Sequence, residues 1–98
     1  MKTLTLFYLR TCPYCIKAEK AIKELCAEDL RYRSVSFDWV EESIHPELAD
    51  RYDYYYVPTV FDGSVKLYEA DPRQDYASIK ASLKAVMDRY AKQQGSEG

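Results

Sequence analysis

The chain opens on Thr3-Leu4-Thr5-Leu6-Phe7-Tyr8-Leu9, where aliphatic and aromatic side chains alternate with threonine and then crowd together, the pattern of a strand set deep in a sheet. The period then changes. From Pro13 onward, Ala18, Ala21, Ile22, Leu25 and Cys26 recur at helical spacing while Lys17, Glu19, Lys20, Lys23 and Glu24 take the other face, which predicts an amphipathic helix. Pro13 suits the first helical turn, where its missing N–H would have no partner, and Thr11 falls at the N-cap or just ahead of it. Alternation returns at Tyr32-Arg33-Ser34-Val35-Ser36-Phe37 as a second strand. A right-handed crossover makes the two strands parallel.

In the second half, Pro46 as an early helical residue, with Leu48 and Ala49 as its apolar side, predicts a helix of two or three turns within 43–52. Val57-Pro58-Thr59-Val60-Phe61, the turn Asp62-Gly63-Ser64 and Val65-Lys66-Leu67-Tyr68 read as a hairpin, with Pro58 at a permitted place at the strand's start. Tyr76, Ile79, Leu83, Val86, Met87 and Tyr90 share a helical register, and Asp71-Pro72-Arg73-Gln74 ahead of them resembles a capping box with proline at its first position. Residues 93–98 have nothing to bury and are expected to form a disordered tail beyond a single domain over 1–92. The order β-α-β-α-β-β-α describes an α/β protein, a four-stranded mixed sheet flanked by helices.

Composition narrows the function classes. A chain of 98 residues, 47% hydrophobic and 31% charged, is an ordinary globular domain. Its net charge of −2 comes from 14 basic and 16 acidic residues spread along the chain, so neither nucleic acid nor a membrane is an expected partner. With no long apolar run and no signal-peptide pattern at the start, a cytoplasmic location is expected. Three cysteines are too few for a disulfide-stapled scaffold, and two are spaced Cys-x-x-Cys, which points to redox chemistry. A four-ligand zinc site would have to draw on Cys26 and the single His45, and no metal ligand is assigned.

Disulfide exchange needs a thiolate as attacker, and the N-terminus of a helix favours that form of a cysteine placed there. Cys12 has this position and is the expected nucleophile; Cys15, one turn on, is the expected resolving thiol. Cys26 lies too far along the same helix for an intrahelical disulfide, about 16 Å beyond Cys15 at 1.5 Å per residue, and reads as a small buried apolar residue. Arg10 is a candidate for stabilising the thiolate or attracting an anionic thiol. Tyr52, Tyr54, Tyr55 and Tyr56 crowd the loop ahead of Pro58, either bordering the sulfur or packing on neighbouring helices. Base rates favour a trans Val57-Pro58 bond, while a cis bond would turn the Val57 backbone outward towards a substrate. His45 is expected at the surface.

With its strand, Cys12-Pro13-Tyr14-Cys15, and Val57-Pro58 ahead of Val60-Phe61, the chain resembles the glutaredoxins, dithiol proteins of the thioredoxin fold. The resemblance implies reduction of protein or glutathione mixed disulfides, with Cys12 as nucleophile, Tyr14 beside glutathione, Pro58 in cis and the Val57 backbone gripping the substrate. It departs from the family in having Tyr56 before Val-Pro, Arg10 two residues upstream of the nucleophile instead of three, and Tyr68-Glu69-Ala70-Asp71 where glutaredoxins carry the Gly-Gly segment that holds the glutathione glutamyl group. Val57-Pro58-Thr59 is closer to thioredoxin. The expected partners are disulfide-containing proteins, with glutathione or a thioredoxin-reductase-type flavoprotein as reductant; glutathione is a candidate co-substrate, no cofactor is expected to be tightly bound, and a monomer is expected. The alternative is a module that holds a metal or iron–sulfur cluster on the same cysteines.

Overall fold

The computed structural model describes residues 2–95, the side chains of 92–95 excepted. Strands β1 (Lys2–Tyr8), β2 (Val35–Glu41), β3 (Thr59–Asp62) and β4 (Val65–Glu69) form one sheet in the order β2-β1-β3-β4. Helices α1 (Pro13–Glu28), α2 (Pro46–Ala49) and α3 (Tyr76–Gly95) complete the expected element order. β1 runs parallel to β2 and antiparallel to β3, and β3 is antiparallel to β4 with an irregularity between Val60 and Phe61. Gly63, at φ +59°, makes the tight turn between β3 and β4.

The alternation along β1 divides the core. Leu4 and Leu6 point to one face, where Ala18, Ala21, Ile22 and Leu25 of α1 meet Ile79, Leu83, Val86 and Met87 of α3 in the larger cluster. Phe7 points to the other face and forms a smaller cluster with Val40 and Phe61, covered by Leu48, Ala49, Tyr52 and Tyr54.

Several boundaries differ from the sequence expectation. The second strand starts at Val35 instead of Tyr32, because Asp29 ends α1 and accepts the Arg31 N–H at 3.0 Å, starting a 3-10 turn over Leu30–Ser34 that buries Tyr32. β2 then continues to Glu41, since β1 supplies a partner for each residue up to Tyr8 opposite Glu41. The helix expected within 43–52 is one turn, because the chain beyond it is used to lay Tyr52 and Tyr54 on Phe7. β3 begins at Thr59, so Pro58 precedes it. Half of the expected capping box forms: the Asp71 N–H donates to Gln74 Oε1 at 3.2 Å, but Asp71 Oδ1 accepts the Arg73 N–H, at 2.9 Å, and the Gln74 N–H goes to the Asp71 carbonyl at 2.9 Å. They close a turn, and α3 starts later, behind Asp75, whose Oδ1 accepts the Ser78 N–H at 2.9 Å. The tail expected over 93–98 falls partly on residues 96–98, outside the described residues; the α3 backbone reaches Gly95.

Candidate functional site

Cys12 is the N-cap of α1, in extended geometry with φ −78° and ψ 125°. Its carbonyl accepts the Cys15 and Ile16 N–H groups, both at 3.1 Å, while its side chain makes no cap bond. The sulfur instead faces the loop before β3, where the thiol donates to the Val57 carbonyl at 3.9 Å. Leu9 anchors both cysteines: its carbonyl accepts the Cys12 N–H at 3.0 Å and its N–H donates to Cys15 Sγ at 3.4 Å. Cys15 is 3% exposed, and burial pushes its thiol up to about 12, the Leu9 N–H opposing only in part. Both cysteines are free thiols, one reachable and one covered.

The Val57-Pro58 bond is cis, as the glutaredoxin resemblance implied and against the base-rate expectation of trans. The loop in front of it is tied to β4 by Glu69, whose Oε2 accepts the N–H groups of Tyr55 at 2.5 Å and Tyr56 at 2.8 Å, while Oε1 takes Lys66 Nζ at 2.8 Å. Burial works to raise the Glu69 pKa, but these donors outweigh it and hold the carboxyl below its ordinary value. On the other flank Tyr14 donates its hydroxyl to the Pro72 carbonyl at 2.7 Å, bracing the segment between β4 and α3 against the motif. Tyr56, Glu69, Ala70, Asp71, Pro72 and Arg73 surround an open depression of about 550 Å³, with Arg73 held on Asp71 at 2.8 Å.

Beneath the motif sits Glu41, buried at the end of β2. Its Oε2 accepts the Arg10 N–H at 3.0 Å and its Oε1 accepts the Ser43 N–H at 2.7 Å and hydroxyl at 2.5 Å. These bonds, the Ser43 hydroxyl's first, bring its carboxyl down to about 2. Arg10 is thus positioned through its backbone, and it lines a depression of about 300 Å³ with Cys15, Ile16 and Trp39.

The four loop tyrosines divide. Tyr52 and Tyr54 pack on Phe7, with centroids at 4.7 and 5.2 Å, whereas Tyr55 and Tyr56 are 86% and 53% exposed beside Val57. Cys26 is half-buried against the larger core, and His45 is the exposed N-cap of α2, 3.7 Å from Glu47. Among the described residues, no three of the His, Cys, Asp and Glu side chains gather into a metal-ligand set.

Sequence reasoning had pointed to Cys12, Cys15, Tyr14, Tyr56, Val57, Pro58 and Arg10; it missed Leu9, Glu41 and Glu69. Glu41 escaped because the second strand was ended at Phe37. Glu69 enters the sequence reading only as part of a departure from a family pattern, because the backbone donors it meets belong to a loop 13 and 14 residues away.

No family model and no curated protein sequence matches the chain significantly. Solved structures do. A mutant thioredoxin from Halobacterium salinarum superposes with a TM-score of 0.61 at 22% identity, over 91% of this chain and 74% of that one. The chain has the thioredoxin fold. A malarial protein gives a TM-score of 0.57 at 15% identity over 85% of this chain and 93% of its own. The zinc-bound form of human ERp44 gives 0.58 at 20% identity over 87% of this chain and 27% of its own. Within this thioredoxin fold, the Cys-x-x-Cys pair opens α1 beside the cis-proline loop. No helix among the described residues is long and apolar enough to cross a membrane.

Proposed function

We propose that this protein is a thiol–disulfide oxidoreductase that reduces protein disulfides through Cys12 and Cys15. The reading rests on one observation above the rest: Cys12 is a half-exposed thiol at the N-cap of α1, while Cys15, one turn away, is buried. The Cys12 thiolate attacks one sulfur of a substrate disulfide, forming a mixed disulfide and expelling the other sulfur as a thiolate that takes up a proton. Cys15 then gives up its proton and attacks Cys12 Sγ, which forms the Cys12–Cys15 disulfide and frees the second substrate thiol. Two electrons pass to the substrate, and an external thiol or a flavoprotein reductase returns them. A covered second thiol suits this sequence, because it is spent only on a disulfide already formed at Cys12.

Protein disulfides are favoured over glutathione mixed disulfides as substrates. In the depression between the Tyr56 loop and the start of the 70–75 segment, the Tyr55 and Tyr56 N–H groups are taken by Glu69 and the Arg73 guanidinium by Asp71. Two carboxylates thus stand where the resemblance would place the glutathione glutamyl group.

The test is reduction of insulin, supported by dithiothreitol, run beside turnover of a glutathione mixed disulfide. Insulin reduction should be lost in Cys12→Ser, and Cys15→Ser should accumulate a mixed disulfide with the substrate. Full activity of Cys12→Ser removes the proposal, and fast glutathione-dependent turnover replaces the protein-disulfide preference with a glutaredoxin activity.

A further inference from the structure

We propose that the depression between Leu9 and the tyrosine loop is a docking subsite for a lysine or arginine side chain of the protein whose disulfide is reduced; the proposal rests on the oxidoreductase reading and adds a substrate preference to it. The depression holds about 420 Å³ and is walled by Tyr52, Tyr54 and Tyr55, with Glu42 and Asp50 at its margin and Leu9 at the side nearest the motif. That volume lies in the range of ordinary small-ligand sites, about 300–1,000 Å³. Leu9 bonds to both cysteines, and Tyr55 stands two residues before Val57, whose carbonyl accepts the Cys12 thiol, so the depression adjoins the dithiol.

Charge and shape both select a cation. Among the described residues, neither Glu42 nor Asp50 is paired with a basic group. The basic side chains nearest in sequence are used or turned elsewhere: His45 stands by Glu47, Arg51 lines a separate depression with Lys66, and Arg10 lines the one with Cys15 and Trp39. Glu42 is held in place by the Tyr54 hydroxyl, which donates to Oε1 at 2.6 Å and leaves the other carboxylate oxygen for a guest. Tyr52 and Tyr54 are pinned on Phe7, so these walls are formed before anything binds, while the 86% exposed Tyr55 offers its ring to solvent. Long basic side chains fit such a place, since their alkyl stems pack on aromatic surface while the charged head meets ring faces and carboxylates. An acidic side chain would meet two like charges instead.

The experiment compares peptide disulfides that differ only in one residue next to the cysteine: arginine, alanine or glutamate. At low ionic strength kcat/KM should be about tenfold higher for the arginine peptide than for the glutamate peptide, and the gap should shrink as salt is added. The double variant Glu42→Gln with Asp50→Asn should bring the ratio towards one, whereas Glu28→Gln, which removes a charge at the far end of α1, should leave the ratio as it is. Equal turnover of the arginine and glutamate peptides by the wild-type protein at low salt, or a ratio that Glu28→Gln lowers as much as the double variant does, overturns the subsite and leaves the dithiol activity standing. If no peptide is turned over and Cys12→Ser behaves as the wild type does, the oxidoreductase reading falls and takes the subsite with it.

Discussion

Two cysteines one helical turn apart have opposite surroundings here, and their chemistry should separate accordingly. Cys15 is buried, with the Leu9 N–H on its sulfur, and burial pushes it up to about 12; Cys12 is half-exposed beside the Val57 carbonyl. Brief alkylation of the reduced protein near neutral pH should label Cys12 well before Cys15, as read by peptide mass mapping; equal labelling would contradict the buried position of Cys15. Glu41 makes a second residue-scale prediction. Its carboxyl is brought down to about 2 in the folded protein from an ordinary value of 4.5, chiefly by the Ser43 hydroxyl. Above pH 4.5 both folded and unfolded chains carry the charge and its stabilising bonds count in full. As pH falls from there towards about 2, the unfolded chain takes up a proton that the folded one refuses, so stability declines, and below that the contribution is gone. Glu41→Gln should therefore lose less stability than the wild type between those limits in urea titrations. Of these residues the cysteine pair was legible in the sequence, because its spacing and the proline between its members are local. Glu41 was not, because its burial and its bond to the Arg10 N–H, 31 residues away, arise only through the pairing of β1 and β2.

At the scale of elements, periodicity located α1, β1, the hairpin and α3, and the misplaced ends trace to side chains that bond the backbone. Asp29 starts a 3-10 turn, and Asp75, not Asp71, accepts the N–H that opens α3. Asp75→Ala should destabilise the protein by about 1 kcal/mol in urea unfolding, the usual loss for a capping side chain, and should speed amide exchange at Ser78. An unchanged midpoint with unchanged Ser78 exchange would mean that the first turn of α3 is held by packing alone. The competing signal at Asp71-Pro72-Arg73-Gln74 shows why local motifs can mislead: Gln74 reaches back to the Asp71 N–H, yet Asp71 Oδ1 takes the Arg73 N–H and the Gln74 amide is also engaged by Ser78 and Ser82 of α3. The segment serves as a buttress under Tyr14 and not as the first turn of the helix.

Over the whole molecule, β1 is the shared wall of two unequal cores and has a hydrogen-bonded neighbour on each side. Its amides should be the slowest to exchange, opening only with global unfolding, while the edge strands β2 and β4 exchange earlier. Leu6→Ala removes a fully buried side chain from the larger core and should cost about 2–5 kcal/mol of stability, measured by denaturant unfolding. A loss well below that range, or β1 amides exchanging as fast as those of β4, would show that the sheet opens from its centre.

What the sequence determined by itself is what nearest neighbours decide: the alternation of β1, the amphipathic face of α1, the proline at its start, and hence a cysteine at a helix N-terminus. The same local reading could not tell whether Tyr52, Tyr54, Tyr55 and Tyr56 would be core or surface, since their spacing is compatible with either. Tertiary structure decided this by placing Phe7 and Phe61 under two of them. It also decided the burial of Cys15, the Glu69 tie across the tyrosine loop and the bracing of Tyr14 on Pro72, 58 residues away. The physical reason is common to all of them. Burial and long-range hydrogen bonds depend on strand order and register, which are set by the simultaneous packing of both faces of the sheet and not by the pattern of any one segment.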